Sequence, residues 1–145
     1  MTSRTATLDS MLCFDIYAAN LAFGRIYKPL LDRLGLTYPQ FLVLMCLWTE
    51  DARSVGALGH ALSLDSSTLT PMLKRLEAQG LLTRRRDSAD ERRVIVTLTD
   101  QGLALEDAAQ GVVECAARDI GLALPEQRQL HDLLARLRAN ITGTG

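Results

Sequence analysis

Only two stretches of this chain have strong strand character, residues 81–86 (Leu-Leu-Thr-Arg-Arg-Arg) and 94–98 (Val-Ile-Val-Thr-Leu), and they are near neighbours. The polar residues between them, 87–93, read as the loop of a β-hairpin. Nearly everything else carries helical periodicity. The fold is therefore restricted to a mostly α class with one two-stranded β-hairpin. At 145 residues the chain is about one domain long and large enough to bury its own core. No repeat, low-complexity run or long linker divides it.

The helices can be placed from caps and breakers. Leu8, Leu12, Ile16 and Ala19 predict an amphipathic helix over residues 8–28, with Pro29 following it. Thr37-Tyr-Pro-Gln40 reads as a capping box opening an almost wholly apolar helix to about Glu50. A short helix is expected over about residues 54–62. Another follows, with Asp65 or Ser67 as its N-cap, an apolar face of Leu69, Met72, Leu73 and Leu76, and Gly80 as its stop. Thr99 caps a long helix to about Ile120, and Pro125 opens a last one with Leu130, Leu133, Leu134, Leu137 and Ile141 along one face. The tail from Thr142 to Gly145 is expected to fray.

Short helix, tight connection, second helix and basic hairpin, in that order, describe a winged helix-turn-helix. The second helix suits the major groove of DNA, and the hairpin reaches the phosphates or the minor groove beside it. Residues of about 37–99 would form this unit. The helices of about 1–36 and 100–141 carry more apolar surface than so small a unit needs, which points to a homodimer with two recognition helices about 34 Å apart.

Net charge is −1, yet its distribution is uneven. From Asp65 to Arg93 seven basic residues stand against five acidic ones, a local charge of +2 that leaves the rest at −3. A local basic surface is enough for phosphate contact. The longest fully apolar stretch, Phe41 to Trp48, is too short to span a bilayer. No segment near the N-terminus reads as a signal peptide, so a cytoplasmic protein with no membrane partner is expected. Cysteines at 13, 46 and 115 are too widely spaced for a zinc knuckle and too few for a disulfide scaffold. His60 and His131 have no ligand-spaced partners. No metal, cofactor or enzymatic constellation is expected.

Leu12-Cys-Phe-x-x-Tyr17, Tyr27-Lys-Pro-Leu-Leu31, Thr37-Tyr-Pro-Gln40, the run from Leu64 to Arg75 (Leu-Asp-Ser-x-Thr-Leu-Thr-Pro-Met-Leu-Lys-Arg) and Asp90-Glu-Arg92 together resemble the MarR family. More narrowly they resemble its organic hydroperoxide resistance repressors, the OhrR type. The resemblance runs from about Leu12 to Leu137. It implies that Cys13 is a redox-sensing cysteine, hydrogen-bonded by Tyr27 and Tyr38 with Tyr17 in the same pocket. It implies double-stranded operator DNA as the partner, read by Asp65, Ser66, Thr68, Thr70, Lys74 and Arg75. Arg84 and Arg86 at the base of the wing would meet phosphates, and Arg92, held by Asp90, would enter the minor groove.

Each assignment asks for specific chemistry. A peroxide is attacked by thiolate, so Cys13 needs groups that favour its anion, and phenolic hydrogen-bond donors do so. Apolar surroundings supplied by Phe14, Phe23 and Leu42 would favour organic over hydrogen peroxide. In two-cysteine members of the family a resolving cysteine lies on the helix after the wing. Cys115 corresponds to it, although, counted from Gly102, it comes roughly one helical turn earlier. Whether it pairs with Cys13 stays open. Cys46 reads as an inert core thiol. Other readings stand beside these: a repressor released by a small phenolic or drug-like ligand, a thiol peroxidase, a structural nucleoid-binding protein, and Arg84–Arg86 as a solvated strand edge.

Overall fold

The computed structural model describes residues 6–143. The first five residues and the last two of the tail, where fraying is expected, lie outside the described residues. A single 3₁₀ turn, Leu8–Ser10, precedes helix α1, Leu12–Asp32. There follow α2 (Tyr38–Thr49), a two-residue strand β1 (Arg53–Ser54), α3 (Val55–Leu62) and α4 (Ser66–Ala78). The hairpin is β2 (Leu82–Arg86) and β3 (Val94–Leu98), and the chain closes with α5 (Asp100–Ala104), α6 (Glu106–Asp119) and α7 (Leu124–Thr142).

The caps form as the sequence predicts. Thr37 Oγ1 accepts from the Gln40 amide at 3.3 Å while Gln40 Oε1 accepts from the Thr37 amide at 3.1 Å, so two orphan donors are satisfied reciprocally. Asp65, one of the two expected candidates, caps α4, and Ser54, which the sequence did not single out, caps α3. The apolar helix α2 is the central element. Its Val43, Leu44 and Leu47 join Leu58, Leu69, Leu73, Leu76, Leu82 and Val96 in one core. A second cluster, Leu31, Phe41, Ala109 and Val112, fixes α1 and α6 to the other side of α2.

Three expectations are corrected. Helix α1 begins later and runs through Pro29, although a proline inside a helix forfeits one backbone hydrogen bond and costs about 3 kcal/mol. Leu31, two residues beyond, is 1% exposed in the second cluster, and its burial holds the extra turn in place. The sheet has three strands rather than two, in the order β1-β3-β2, because Arg53 and Ser54 pair antiparallel with Val96 and Ile95 on the open edge of β3. The long helix expected after Thr99 breaks at Leu105 into α5 and α6. Trp48 Nε1 donates to the Gly102 carbonyl at 2.9 Å, occupying an acceptor of the helical ladder at that point.

Candidate nucleic-acid interface and thiol site

The α3–α4 corner is built by close approach. Ser63 takes the left-handed conformation (φ 56°), and a Cβ at Gly59 would stand 2.6 Å from the Leu64 carbonyl oxygen, so only glycine lets the turn come so near α3. Helix α4 buries Leu69, Leu73 and Leu76 and leaves Ser66, Ser67, Thr68, Lys74 and Arg75 exposed on its outer face. Asp65 is occupied at the helix start. Its Oδ1 accepts from Ser67 Oγ at 2.7 Å and from the Thr68 amide at 2.8 Å, and these hydrogen bonds, the hydroxyl's first, hold its carboxyl below the ordinary value. It orients α4 by capping it, and a carboxylate has no attraction for phosphate.

The hairpin is strapped by its own charges. Arg86 Nη1 donates to the Glu91 carbonyl at 2.8 Å, and the Asp87 amide to the Arg93 carbonyl at 2.8 Å. At the tip, Asp90 Oδ1 accepts from the Arg92 amide at 3.1 Å and from its Nε at 3.3 Å, while the Arg92 side chain is 93% exposed. Asp90 thus holds Arg92 at the tip. Between α4 and the wing lies a groove of about 470 Å³ whose lining includes Ser66, Thr70, Arg84, Arg92 and Arg93.

Arg84 is placed differently from Arg86 and Arg92. Its guanidinium lies on Glu77 of α4, with Nη2 to Oε1 at 3.1 Å, and only 24% of its side chain is exposed. Glu77 was not among the residues marked out by sequence. Nothing in helical periodicity separates it from an ordinary solvated glutamate.

The thiol residues fall in two separate places. Cys13, in the first turn of α1, is a free and exposed thiol, and Tyr17 one turn on is exposed beside Phe14, ring centroids 6.5 Å apart. Tyr27 and Tyr38 meet elsewhere, with centroids 5.0 Å apart and both rings against Phe41. Burial, and then the neighbouring Tyr38, push the Tyr27 phenol above its ordinary value, so at neutral pH it stays a proton donor. Fourteen residues of one helix separate Cys13 from Tyr27, about 21 Å at 1.5 Å per residue. One protomer therefore does not bring together the cysteine and tyrosines that the resemblance groups in one pocket. Phe23 lies beside Tyr38, lining a pocket of about 250 Å³ with Asn20, Leu21 and Gly24, while Leu42 packs into the second cluster.

Cys115 is half-buried on α6 and its sulfur accepts from Arg118 Nη2 at 3.3 Å. Cys46 packs against the main core. The outward faces of α1 and α7 are apolar and uncovered in the protomer. Leu12 is 62% exposed and Leu133 55%, and α7 has no buried residue. No helix among the described residues is long and apolar enough to cross a membrane.

Comparisons with known proteins agree with this fold. A family model described as transcriptional regulator SarA/Rot matches residues 25–108. The HTH-type transcriptional regulator TtmR of Methylorubrum extorquens (strain PA1) is 50% identical over 136 residues, 91% of this chain and 68% of that protein. The organic hydroperoxide resistance transcriptional regulator of Bacillus subtilis (strain 168) is 44% identical over 130 residues, 90% of this chain and 86% of that protein. Among solved structures, reduced AbfR bound to DNA superposes with a TM-score of 0.78 at 36% identity, covering 93% of this chain and 94% of that one.

Proposed function

This chain belongs to the winged helix-turn-helix transcriptional regulators of the MarR/OhrR type, and on that premise we propose that it is a homodimeric repressor released from operator DNA when an organic hydroperoxide oxidises Cys13. Relatives and structural neighbours are transcription regulators rather than enzymes. The carrying observation is a free, exposed thiol on a helix whose apolar face is uncovered, with a donor pair of tyrosines further along the same helix face and on α2.

A two-fold axis supplies what one protomer lacks. If two α1 helices cross antiparallel near Asn20, residue 13 of one lies opposite residue 27 of the other. The uncovered residues Leu12, Ile16 and Leu21 are then buried by the pairing. Residues of about 1–36 and 100–141 serve as the dimerisation helices, and about 37–99 as the DNA-binding unit. Tyr27, Tyr38 and Tyr17 become donors to the thiolate. The thiolate sulfur attacks one peroxide oxygen, the O–O bond breaks, and the alkoxide leaves and takes a proton to become the alcohol. Sulfur is oxidised by two electrons to a sulfenic acid as the peroxide is reduced. A second thiol, Cys115 in this reading, then forms a disulfide with release of water. Either product enlarges a packed pocket between the dimerisation helices and rotates the DNA-binding units away from half-site spacing.

In that complex Ser66, Thr68, Thr70, Lys74 and Arg75 face the major groove, Arg86 the phosphates and Arg92 the minor groove, with Asp65 and Asp90 holding their neighbours in place. The test uses a duplex selected by the reduced wild-type protein from a random-sequence pool. Binding is measured with and without cumene hydroperoxide for wild type, Cys13→Ser and Cys115→Ser. Cys13→Ser is expected to bind and to stay bound after oxidant. Release of that variant at the wild-type dose would refute the sensing role, and release of wild type by salicylate but not by peroxide would establish a ligand-released repressor instead.

A further inference from the structure

Strand β2 lies at the edge of the sheet, so amides along its outer side have no strand to bond. The Arg84 amide is one of them. It donates to Glu77 Oε2 at 2.9 Å, while Arg84 Nε and Nη2 donate to Glu77 Oε1 at 3.4 and 3.1 Å. One carboxylate on α4 thus takes a backbone and a side-chain grip on the first half of the wing. The connection between them is short and fixed. The Gly80 amide bonds the Glu77 carbonyl at 2.9 Å, the Leu81 amide bonds the Leu76 carbonyl at 3.0 Å, and Gly80 has φ 78°. Helix, turn and strand form a closed triangle with the Glu77–Arg84 pair as its third side.

Glu77 has the wrong charge for a surface that faces phosphates. An acidic residue beside a nucleic acid lowers affinity unless its charge is used within the protein. Here both oxygens are used, and the hydrogen bonds from Arg84 keep the carboxyl ionised below its ordinary range. Arg84, which lines the groove together with Thr70 and Arg92, is in turn engaged by Glu77.

We infer that Glu77 is a positioning residue for DNA binding, which locks the wing to the recognition helix through the Arg84 amide and guanidinium and so sets the width of the groove between Thr70 and Arg92. Arg84 then serves the complex through Glu77 rather than as a free phosphate contact. This inference rests on the DNA-binding reading above and deepens it. It predicts different responses for two kinds of binding. Removing the charge of Glu77 weakens binding that needs helix and wing in register, and leaves unchanged or slightly strengthens binding that needs only positive charge.

The experiment compares wild type, Glu77→Gln and Arg84→Lys, all reduced, on the selected duplex and on a random-sequence duplex of equal length, across a salt series. Both variants are expected to lose on the order of tenfold or more on the selected duplex while the random duplex changes by less than about twofold. The Arg84 amide should exchange with solvent at least about tenfold faster in Glu77→Gln, a measurement that needs no DNA. Arg84→Lys keeps the cation and is the second variant should Glu77→Gln fold poorly. Equal or tighter binding of Glu77→Gln to the selected duplex with a steeper salt slope would overturn the inference, since it would show Arg84 freed to meet a phosphate. Wild-type binding by Arg84→Lys would overturn it too. Failure of the wild type to select any duplex would instead remove the DNA-binding reading itself.

Discussion

Gly102→Ala tests how the DNA-binding unit is joined to the helices behind it. A Cβ at Gly102 would overlap the Leu81 carbonyl oxygen outright and stand 3.1 Å from its carbon and 3.2 Å from Leu98 Cδ2. The obstacle is backbone, which cannot rotate aside. That carbonyl also accepts from the Thr99 amide at 3.1 Å, and Thr99 Oγ1 donates to the Gly80 carbonyl at 2.6 Å. Withdrawing it strains or breaks one or two bonds worth about 0.5–1.5 kcal/mol each. Overpacking adds about 1–3 kcal/mol, for a total of about 1.5–6 kcal/mol. At about 2–4 °C per kcal/mol for a chain near this size, the melting temperature should fall by roughly 10 °C. Calorimetry of the reduced protein is the assay, with Gly56→Ala as the control. A Cβ there meets nothing nearer than Ser54 Oγ at 4.0 Å, so that variant should gain about 0.4–1 kcal/mol through the unfolded chain. A Gly102→Ala protein that melts with the wild type would refute the claim that this contact sets the junction.

Two further outcomes are expected. Leu133→Arg, placed on the uncovered face of α7, should leave the protomer folded by circular dichroism but shift sedimentation toward the monomer by at least about tenfold in dissociation constant; an unchanged dimer would move the interface elsewhere. Acid should destabilise the protein through Asp65 and Glu77, whose native values are both lowered, Asp65 chiefly by the Ser67 hydroxyl and Glu77 chiefly by the Arg84 side chain. The unfolded chain then binds more protons, so their contribution is present above the unfolded values of about 4 and disappears as pH falls through the lowered native ones. Melting temperature should be flat in this respect from pH 7 to 5 and drop below about pH 4, less steeply in Glu77→Gln; an identical acid slope in that variant would remove Glu77 from the account.

The legible parts were those decided within a few residues. Thr37, Asp65 and Thr99 cap their helices because each places a side-chain oxygen within reach of an orphan amide three residues on. The separation of Cys13 from Tyr27 was also within reach, since both fall on one predicted helix and its rise gives the distance. The break at Leu105 was not, because Trp48, 54 residues from Gly102, acts on it. Two residues of β1 carry no period, and only the open edge of β3 makes them a strand.

The sequence by itself determined most of the helices, their apolar faces and the wing, which follow from local caps, from periodicity and from which side chains are present, and its resemblance to a family singled out Cys13 and Arg92. Tertiary structure decided which charges remain exposed. Arg84 and Arg92 look alike in the sequence, yet one is spent on Glu77 and the other stands in solvent. An ion pair depends on where two elements come to rest, and that is fixed by the packing of Leu73, Leu76 and Leu82 beneath them rather than by either charged residue.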